Sequence, residues 1–191
     1  MKLSNPTFIQ AANTLRSGGT LLYPTDTIWG LGCDASNADA IRRLYDLKQR
    51  DPSKSMLILC DTIEMIRTYV CDINDATATL LFTSDRPTTV ILPVERNTLA
   101  HNLPAADNTV GVRVPQTPVC DALLHLLGRP LVSTSANLSG RPSPRSYADI
   151  DQQLIQSVDF CLPASYEQQS SGQASRIVKL LPDGTLQTLR G

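Results

Sequence analysis

Histidine is scarce in this chain of 191 residues, which contains only His101 and His125. His125 lies among leucines, as expected for a helix residue without a chemical role. His101 has no cysteine or histidine at the spacing of metal ligands. We therefore expect no zinc site, no protein-bound metal cluster and no Ser-His nucleophilic pair.

The common phosphate-binding and nucleophile motifs are also missing. There is no Gly-x-x-x-x-Gly-Lys-Ser/Thr loop and no Gly-x-Ser-x-Gly elbow. The run Gly30–Ala35 imitates a dinucleotide fingerprint, but Pro24–Trp29 separates it from the preceding strand. The next helix is expected only near Asn37, so a phosphate would miss the helix N-terminus. We interpret the match as chance, with the glycines serving backbone turns or close packing.

Paired cysteines, long apolar runs and excess charge are absent as well. The five cysteines are odd in number, scattered and without a Cys-x-x-Cys motif, which is typical of free thiols in a reducing compartment. The N-terminus has no apolar core of signal-peptide length, and the longest apolar runs are strand-sized. A net charge of -1 gives no global attraction to nucleic acid or membrane. We expect a cytoplasmic protein that does not span a membrane.

What is present is an alternation of helix and strand signals, over a length that suits one domain covering residues 1–191. Asn5, Asn37 and Thr117 are suited to begin helices, and Gly128 to end one. A terminal hairpin is predicted around Pro182-Asp183-Gly184, which makes the sheet mixed. The sequence thus predicts an α/β fold, with helices on the faces of a mixed sheet. The expected helices follow Asn5, Asn37 and Thr117 and cover Thr62–Val70 and Ile73–Phe82; the expected strands are Thr20–Tyr23, Met56–Cys60, Thr88–Pro93, Thr109–Val114, Pro130–Thr134, Arg176–Leu181 and Thr185–Leu189.

Polar side chains collect where these elements end. Thr25-Asp26-Thr27 follows a strand, at the sheet edge where α/β folds form ligand crevices. Lys48, Arg50 and Lys54 place three cations at the end of a helix. The alternative interpretations are a capped turn and a solvated helix terminus. Because the cations lead directly into a buried strand, at least one should project over the sheet edge, where it would suit phosphate oxygens.

Two further strands end in polar groups. Arg113 alternates with Val112 and Val114, so it either extends from an edge strand into solvent or pairs with a carboxylate in a cleft. Ser133–Gly140 supplies four hydroxyls and Asn137, more hydrogen-bonding groups than a strand exit requires.

Taken in order, these runs resemble the YrdC/TsaC family of threonylcarbamoyl-AMP synthases. The similar elements are Tyr23-Pro24-Thr25-Asp26-Thr27 with Gly30-Leu31-Gly32, Lys48-x-Arg50, Val112-Arg113-Val114-Pro115, Ser135-x-Asn137 and Pro142-Ser143-Pro144. They span roughly Leu21 to Tyr147, and the set in order is more specific than any one element.

The resemblance implies an open, twisted mixed α/β sheet around a concave, positively lined cleft. It implies a nucleotidyltransferase that joins L-threonine, bicarbonate or CO2 and ATP into threonylcarbamoyl-AMP with release of pyrophosphate. Mg2+ is expected to accompany ATP. Proteins that transfer the product to tRNA, as N6-threonylcarbamoyladenosine (t6A), are the implied partners.

The family also implies roles for individual residues. Lys48 and Arg50 would be catalytic. ATP would be bound by Arg50, Lys54, Thr109, Ser135, Asn137, Ser143 and Arg190, and threonine by Thr25, Thr27, Arg113, Ser133 and Ser175.

Two other functions remain open. The chain could be a non-catalytic binder of double-stranded RNA or tRNA, with a basic rim formed by Arg42, Arg43, Arg129, Arg141 and Arg145. It could also be a paralogue with another nucleotide-dependent reaction.

Overall fold

The described part of the chain is built on one mixed sheet of nine strands. A computed structural model describes residues 3–52, 54–167, 170–181 and 185–190. The helices are α1 (Pro6–Arg16), α2 (Ala38–Lys48), α3 (Ile63–Tyr69), α4 (Asp75–Phe82), α5 (Pro118–Leu127) and α6 (Gln152–Ser157). The strands are β1 (Leu21–Tyr23), β2 (Gly30–Asp34), β3 (Leu57–Leu59), β4 (Thr88–Pro93), β5 (Thr109–Arg113), β6 (Leu131–Ser135), β7 (Phe160–Cys161), β8 (Arg176–Leu180) and β9 (Leu186–Arg190).

The strand order is β7-β1-β2-β6-β3-β5-β4-β8-β9, an open sheet. The sheet contains both parallel pairs, such as β3 with β5 and β4 with β8, and antiparallel pairs, such as β2 with β6 and β4 with β5. β8 and β9 pair antiparallel, as the hairpin signal predicted. The predicted turn residues 182–184 lie outside the described residues. The α/β fold with an open mixed sheet is thus confirmed.

The predicted helix signals work through side-chain caps. Asn5 accepts a hydrogen bond from the Thr7 amide at 2.9 Å, and Asn37 accepts one from the Ala40 amide at 3.0 Å. Thr117 caps α5 in the same way, and Gly128 ends that helix with φ of +69°. Each cap satisfies an amide that the first helical turn leaves without a partner, so these boundaries were predictable from the sequence alone.

The two faces of the sheet are covered differently. On one face, α2 packs Ile41 and Leu44 against strand residues such as Ile58 and Val112, and α3, α4 and α6 join the same core. On the other face, α1 and α5 pack over Leu21, Tyr23, Leu59 and Leu131. These two helices cover one half of that face. The other half, around Leu57 and Gly111, forms the floor of a cleft.

The predicted turn at the Gly30–Gly32 glycines was wrong, because β2 runs through them as a buried strand. The alternative interpretation, close packing, describes their surroundings: the Tyr23 ring lies against both glycines, within 3.3 Å of where a side chain would begin. Glycine is therefore what allows Tyr23 to lie flat over β2 beside the cleft.

Gly32→Ala is expected to lower the free energy of unfolding by at least about 1–3 kcal/mol, the usual cost of overpacking. The added carbon would lie 2.2 Å from the Val132 carbonyl oxygen, which is backbone of a central strand and cannot turn aside. Urea unfolding followed by circular dichroism measures the loss. Gly111→Ala, whose added carbon would meet its nearest neighbours at 3.1 and 3.3 Å, is the matched control. A loss no larger than that of the control would contradict this packing argument.

No helix in the described part of the chain has the length and apolar run needed to cross a bilayer. The five cysteines are free thiols, as predicted: four are buried and Cys161 is partly exposed.

Candidate active site

The cleft lies on the half of the sheet that α1 and α5 leave uncovered. Its volume is about 290 Å³, close to the lower end for small-molecule pockets. The floor is formed by every second residue of the central strands, because successive side chains of a strand point to opposite faces. The floor residues are Leu57, Thr89, Ile91, Thr109, Gly111, Arg113, Ser133, Ser135 and Ile177.

Strand register brings these residues together. Leu57 pairs with both Ser133 and Gly111, which makes β3 the bridge between β6 and β5. Thr89 pairs with both Arg113 and Ile177, which makes β4 the bridge to β8. Residues far apart in sequence are therefore neighbours across strands, about 5 Å apart.

The lining is cationic and rich in hydroxyls. Arg50, Arg113 and Arg190 reach the cleft, together with ten serine and threonine residues. No aspartate, glutamate, histidine or cysteine is among the described residues that line it. A pocket with guanidinium groups and hydroxyl donors but no lining carboxylate is suited to bind an anion.

Arg113 is the most enclosed of the three arginines. It is only 5% exposed, on a strand in the interior of the sheet, so the edge-strand interpretation was wrong. Its Nη1 donates to Thr27 Oγ1 at 2.9 Å and its Nη2 donates to Asp26 Oδ1. Arg113 Nε and Asp26 Oδ2 are buried without a hydrogen-bond partner among the described residues. Arg113 thus keeps donor capacity for a further acceptor.

The Thr25–Thr27 loop is held by its own hydroxyls. Thr25 Oγ1 donates to the Ile28 carbonyl at 2.7 Å and accepts from the Thr27 amide at 3.1 Å. The capped-turn interpretation therefore describes the hydrogen bonds that Thr25 makes. Both threonines nevertheless line the cleft, where the sequence analysis expected a threonine-binding role.

The position of the Ser133 hydroxyl is fixed by Tyr23, whose ring lies across β2 beside the cleft. The phenol donates to Ser133 Oγ at 2.7 Å. Burial raises the pKa of Tyr23 far above its ordinary value, so the phenol keeps its proton. Because Ser133 Oγ accepts this hydrogen bond, its own hydrogen is free to point elsewhere, including into the cleft.

Ser175 and Arg190 form the far wall. Arg190 donates to the Ser175 carbonyl from Nε at 3.1 Å and from Nη2 at 2.6 Å, and the Ser175 hydroxyl lies 2.7 Å from the Thr89 hydroxyl. The segment leading into Ser175 is attached to the opposite wall, since the Ser171 and Gly172 amides donate to the Asp26 and Thr27 carbonyls. The segment Ser171–Ser175 therefore borders the cleft.

Arg50 reaches the cleft from the end of α2, as predicted. Its Nε and Nη2 donate to the Lys54 and Ser55 carbonyls, each at 3.0 Å, which fixes the plane of the guanidinium group. Ser55 itself lines the cleft.

Three of the predicted site residues do not line the cleft. The Lys54 side chain is exposed at the surface, because the loop contributes its carbonyl rather than its ammonium group. Lys48 is only 1% exposed and points to backbone carbonyls. Asn137 lies in the turn after β6 and borders a neighbouring hollow. The other ten lie on the cleft wall: Thr25, Thr27, Arg50, Thr109, Arg113, Ser133, Ser135, Ser143, Ser175 and Arg190.

Some lining residues were missed by the sequence analysis. Thr89, Ile91 and Ile177 belong to predicted strands, and alternation within those strands was the signal that could have placed them on the cleft face. Trp29 and Thr134 had no comparable signal.

The predicted basic rim is largely neutralised. Arg42 pairs with Asp39, Arg43 with Asp159 and Arg129 with Asp34, at 2.9 to 3.0 Å. The rim therefore offers much less free positive charge to RNA than the sequence suggested.

An open α/β sheet with an arginine-lined cleft on its half-covered face is typical of enzymes that act on small molecules. The Sua5/YciO/YrdC family model, described as telomere recombination, matches residues 13–191. The chain belongs to this family.

Named relatives point the same way. A threonylcarbamoyl-AMP synthase of Stutzerimonas stutzeri is 36% identical over 151 residues, covering 78% of this chain and 80% of that protein. One of Marinobacter nauticus is 31% identical over 182 residues, covering 93% and 95%. A solved double variant of P. abyssi Sua5 superposes with a TM-score of 0.87 at 25% identity, over 96% of this chain. The chain spans about half the length of that Sua5, 52%.

Proposed function

We propose that this chain is a threonylcarbamoyl-AMP synthase, using L-threonine, bicarbonate or CO2, and ATP. The amino nitrogen of threonine first bonds to the carbon of CO2, which bicarbonate can supply, and loses a proton, so that an N-carboxylate forms. An oxygen of that carboxylate then attacks the α-phosphorus of ATP, and the bond from phosphorus to the pyrophosphate oxygen breaks. The product would be handed to proteins that form t6A on tRNA. Relatives of 31–36% identity that bear this name support the proposal.

The observation that carries the proposal is the lining of the cleft. ATP, bicarbonate and threonine each carry a negatively charged group, and three guanidinium groups line the cleft. No carboxylate is among the described lining residues, and Asp26, which pairs with Arg113, lies behind that lining. Arg113, enclosed and with an unused Nε, suits the threonine carboxylate. Arg50 and Arg190, on opposite sides of the floor, suit phosphate oxygens.

The proposed reaction makes little use of a protein nucleophile. An in-line displacement at phosphorus depends on positioned reactants and stabilised charge. The described cleft lining contains no cysteine, and burial raises the pKa of Cys33, Cys60 and Cys120 well above the ordinary thiol value. These thiols lack the properties of a reactive cysteine. The substrate's own carboxylate acts as the nucleophile.

Mg2+ stays a prediction that concerns ATP rather than the protein. The described residues contain no group of three or more histidine, cysteine, aspartate or glutamate side chains placed to hold a metal ion. The cleft lining offers hydroxyls but no carboxylate. Mg2+ usually takes one or two protein carboxylates besides phosphates and water. The side chains of the cleft therefore do not fit a metal ion that the protein itself would hold.

The test is pyrophosphate release from ATP in the presence of each combination of substrates. Release is expected only when ATP, threonine and bicarbonate are all present, with threonylcarbamoyl-AMP appearing in equal amount by mass spectrometry. Serine and valine in place of threonine serve as matched controls. Release at the same rate without threonine would identify an ATP hydrolase. Release that requires a different carboxylate substrate would identify the paralogue.

A further inference from the structure

Lys48 is among the largest fully buried side chains of the molecule, although it carries a charge. Its Nζ lies 2.5 Å from the Ser135 carbonyl oxygen and 2.6 Å from the Asn137 carbonyl oxygen. Its own carbonyl accepts a hydrogen bond from the Ser139 amide at 2.9 Å. One residue at the end of α2 thus bonds to three points of the turn that follows β6.

The same turn is held from within by Asn137. Its Nδ2 donates to the Leu138 carbonyl at 3.0 Å and to the Arg141 carbonyl at 2.6 Å. The Ser135 carbonyl accepts from the Asn137 amide as well as from Lys48. Residues 135–141 are therefore tied into one unit, and the two residues that tie it lie away from the main cleft wall.

The residues at the two ends of this unit face the cleft. Ser135 precedes the turn on β6, and Ser143 follows it; both line the cleft, whereas Lys48 does not. Arg50, two residues after Lys48, also lines it. The end of α2 thus contributes one side chain to the cleft and one to the support of the turn beside it.

We propose that Lys48 is a positioning residue rather than a direct ligand of phosphate. Its ammonium group holds the 135–141 turn, assisted by Asn137, and thereby sets the positions of Ser135 and Ser143 on the cleft wall. The proposal deepens the proposed function, since these two serines are expected to bind ATP, but the support itself consists of hydrogen bonds within the protein.

The protonation state of Lys48 provides a second way to test its effect on the 135–141 turn. Burial, followed by the charge of Arg50, lowers the pKa of Lys48 to about 8. On the α2 side the charged neighbour is Arg50, and on the β6 side the contacts are two neutral carbonyl groups. Below pH 8 the ammonium form supplies three donors. In an opened turn Lys48 would regain its ordinary, higher pKa, so the closed turn should gain stability relative to the opened one as pH rises through 8.

Hydrogen–deuterium exchange on the ligand-free protein tests the proposal independently of the reaction. In Lys48→Met, the amides of 136, 137 and 139 should exchange on the order of ten- to a hundredfold faster at pH 7, as expected for loss of charged hydrogen bonds. Asn137→Ala should accelerate the same peptide. Arg42→Met removes a cation from the exposed face of α2 and is the matched control, with unchanged exchange expected.

Wild-type protein provides the measurement if Lys48→Met fails to fold. Protection of the 135–141 peptide, corrected for intrinsic exchange, should rise between pH 7 and 9 while peptides of β1 and α5 keep theirs. Unchanged protection in both experiments would overturn the positioning role. Unchanged exchange in Lys48→Met combined with weaker ATP binding would assign Lys48 to the phosphates. If the pyrophosphate-release test contradicts the proposed function, the exchange measurements still decide whether Lys48 supports the turn.

Discussion

Arg50→Lys should slow adenylate formation by roughly 10²–10³, the usual cost of one preorganised electrostatic contact at a reacting centre. Lysine keeps the charge but loses the planar fork, and with it the bonds from Nε and Nη2 to the Lys54 and Ser55 carbonyls. The remaining ammonium group would sit on a flexible chain at the cleft edge. Single-turnover formation of threonylcarbamoyl-AMP measures the effect.

Measuring the free energy of unfolding distinguishes a loss of catalysis in Arg50→Lys from a folding defect. Arg50 is only partly buried, so the free energy of unfolding of Arg50→Lys should stay within about 0.5 kcal/mol of wild type. Arg42→Lys makes the same chemical change on the exposed face of α2 and should leave the rate unchanged. Wild-type turnover in Arg50→Lys would show that the cation cluster is only a solvated helix terminus.

Arg113→Ala should raise the KM for threonine by about ten- to a hundredfold and leave the KM for ATP nearly unchanged, because a charged hydrogen-bond partner of the threonine carboxylate is lost. It should also lower the free energy of unfolding by about 3–5 kcal/mol, since the buried Asp26 carboxylate loses its cation. Steady-state kinetics and urea unfolding measure the two effects.

The double variant Asp26→Ala/Arg113→Ala separates these effects. Removing both members of the buried pair should restore most of the stability without restoring threonine affinity. Arg96→Ala, which removes an exposed pair with Asp72, should cost no more than about 1 kcal/mol and serves as the control. An equal loss of ATP affinity in Arg113→Ala would place Arg113 on the phosphates instead.

Local signals predicted most of the fold. Helix boundaries at Asn5, Asn37 and Thr117 followed from capping chemistry, which acts over three residues and needs no tertiary information. β2 was missed because Gly30 and Gly32 have low strand propensity. Their presence in a strand depends on Tyr23 packing against them from β1, a contact between strands.

In the candidate site, too, local sequence patterns predicted some features and not those that depend on tertiary structure. Alternation within an apolar strand was enough to set Arg113 apart from Val112 and Val114, and it lies on the cleft face. Helical spacing put Lys48 on the inner face of α2, and it is buried there. The spacing carries no information on whether a long side chain ends in a cleft or at backbone carbonyls, which depends on the course of the turn after β6.

The separation of the two sheet faces also bears on how such an enzyme tolerates change. Within the cleft half of β3 to β6, odd-numbered residues face the cleft and the even-numbered apolar residues pack in the core, whereas Thr134 also lines the cleft. In a saturation mutagenesis screen, substitutions at odd positions should therefore lower mainly activity, and substitutions at even core positions should lower mainly protein abundance. Substrate preference could drift through the odd positions while the even ones preserve foldability, which lets one scaffold serve several chemistries. The even core positions concerned are Ile58, Val90, Val110, Val112 and Val132.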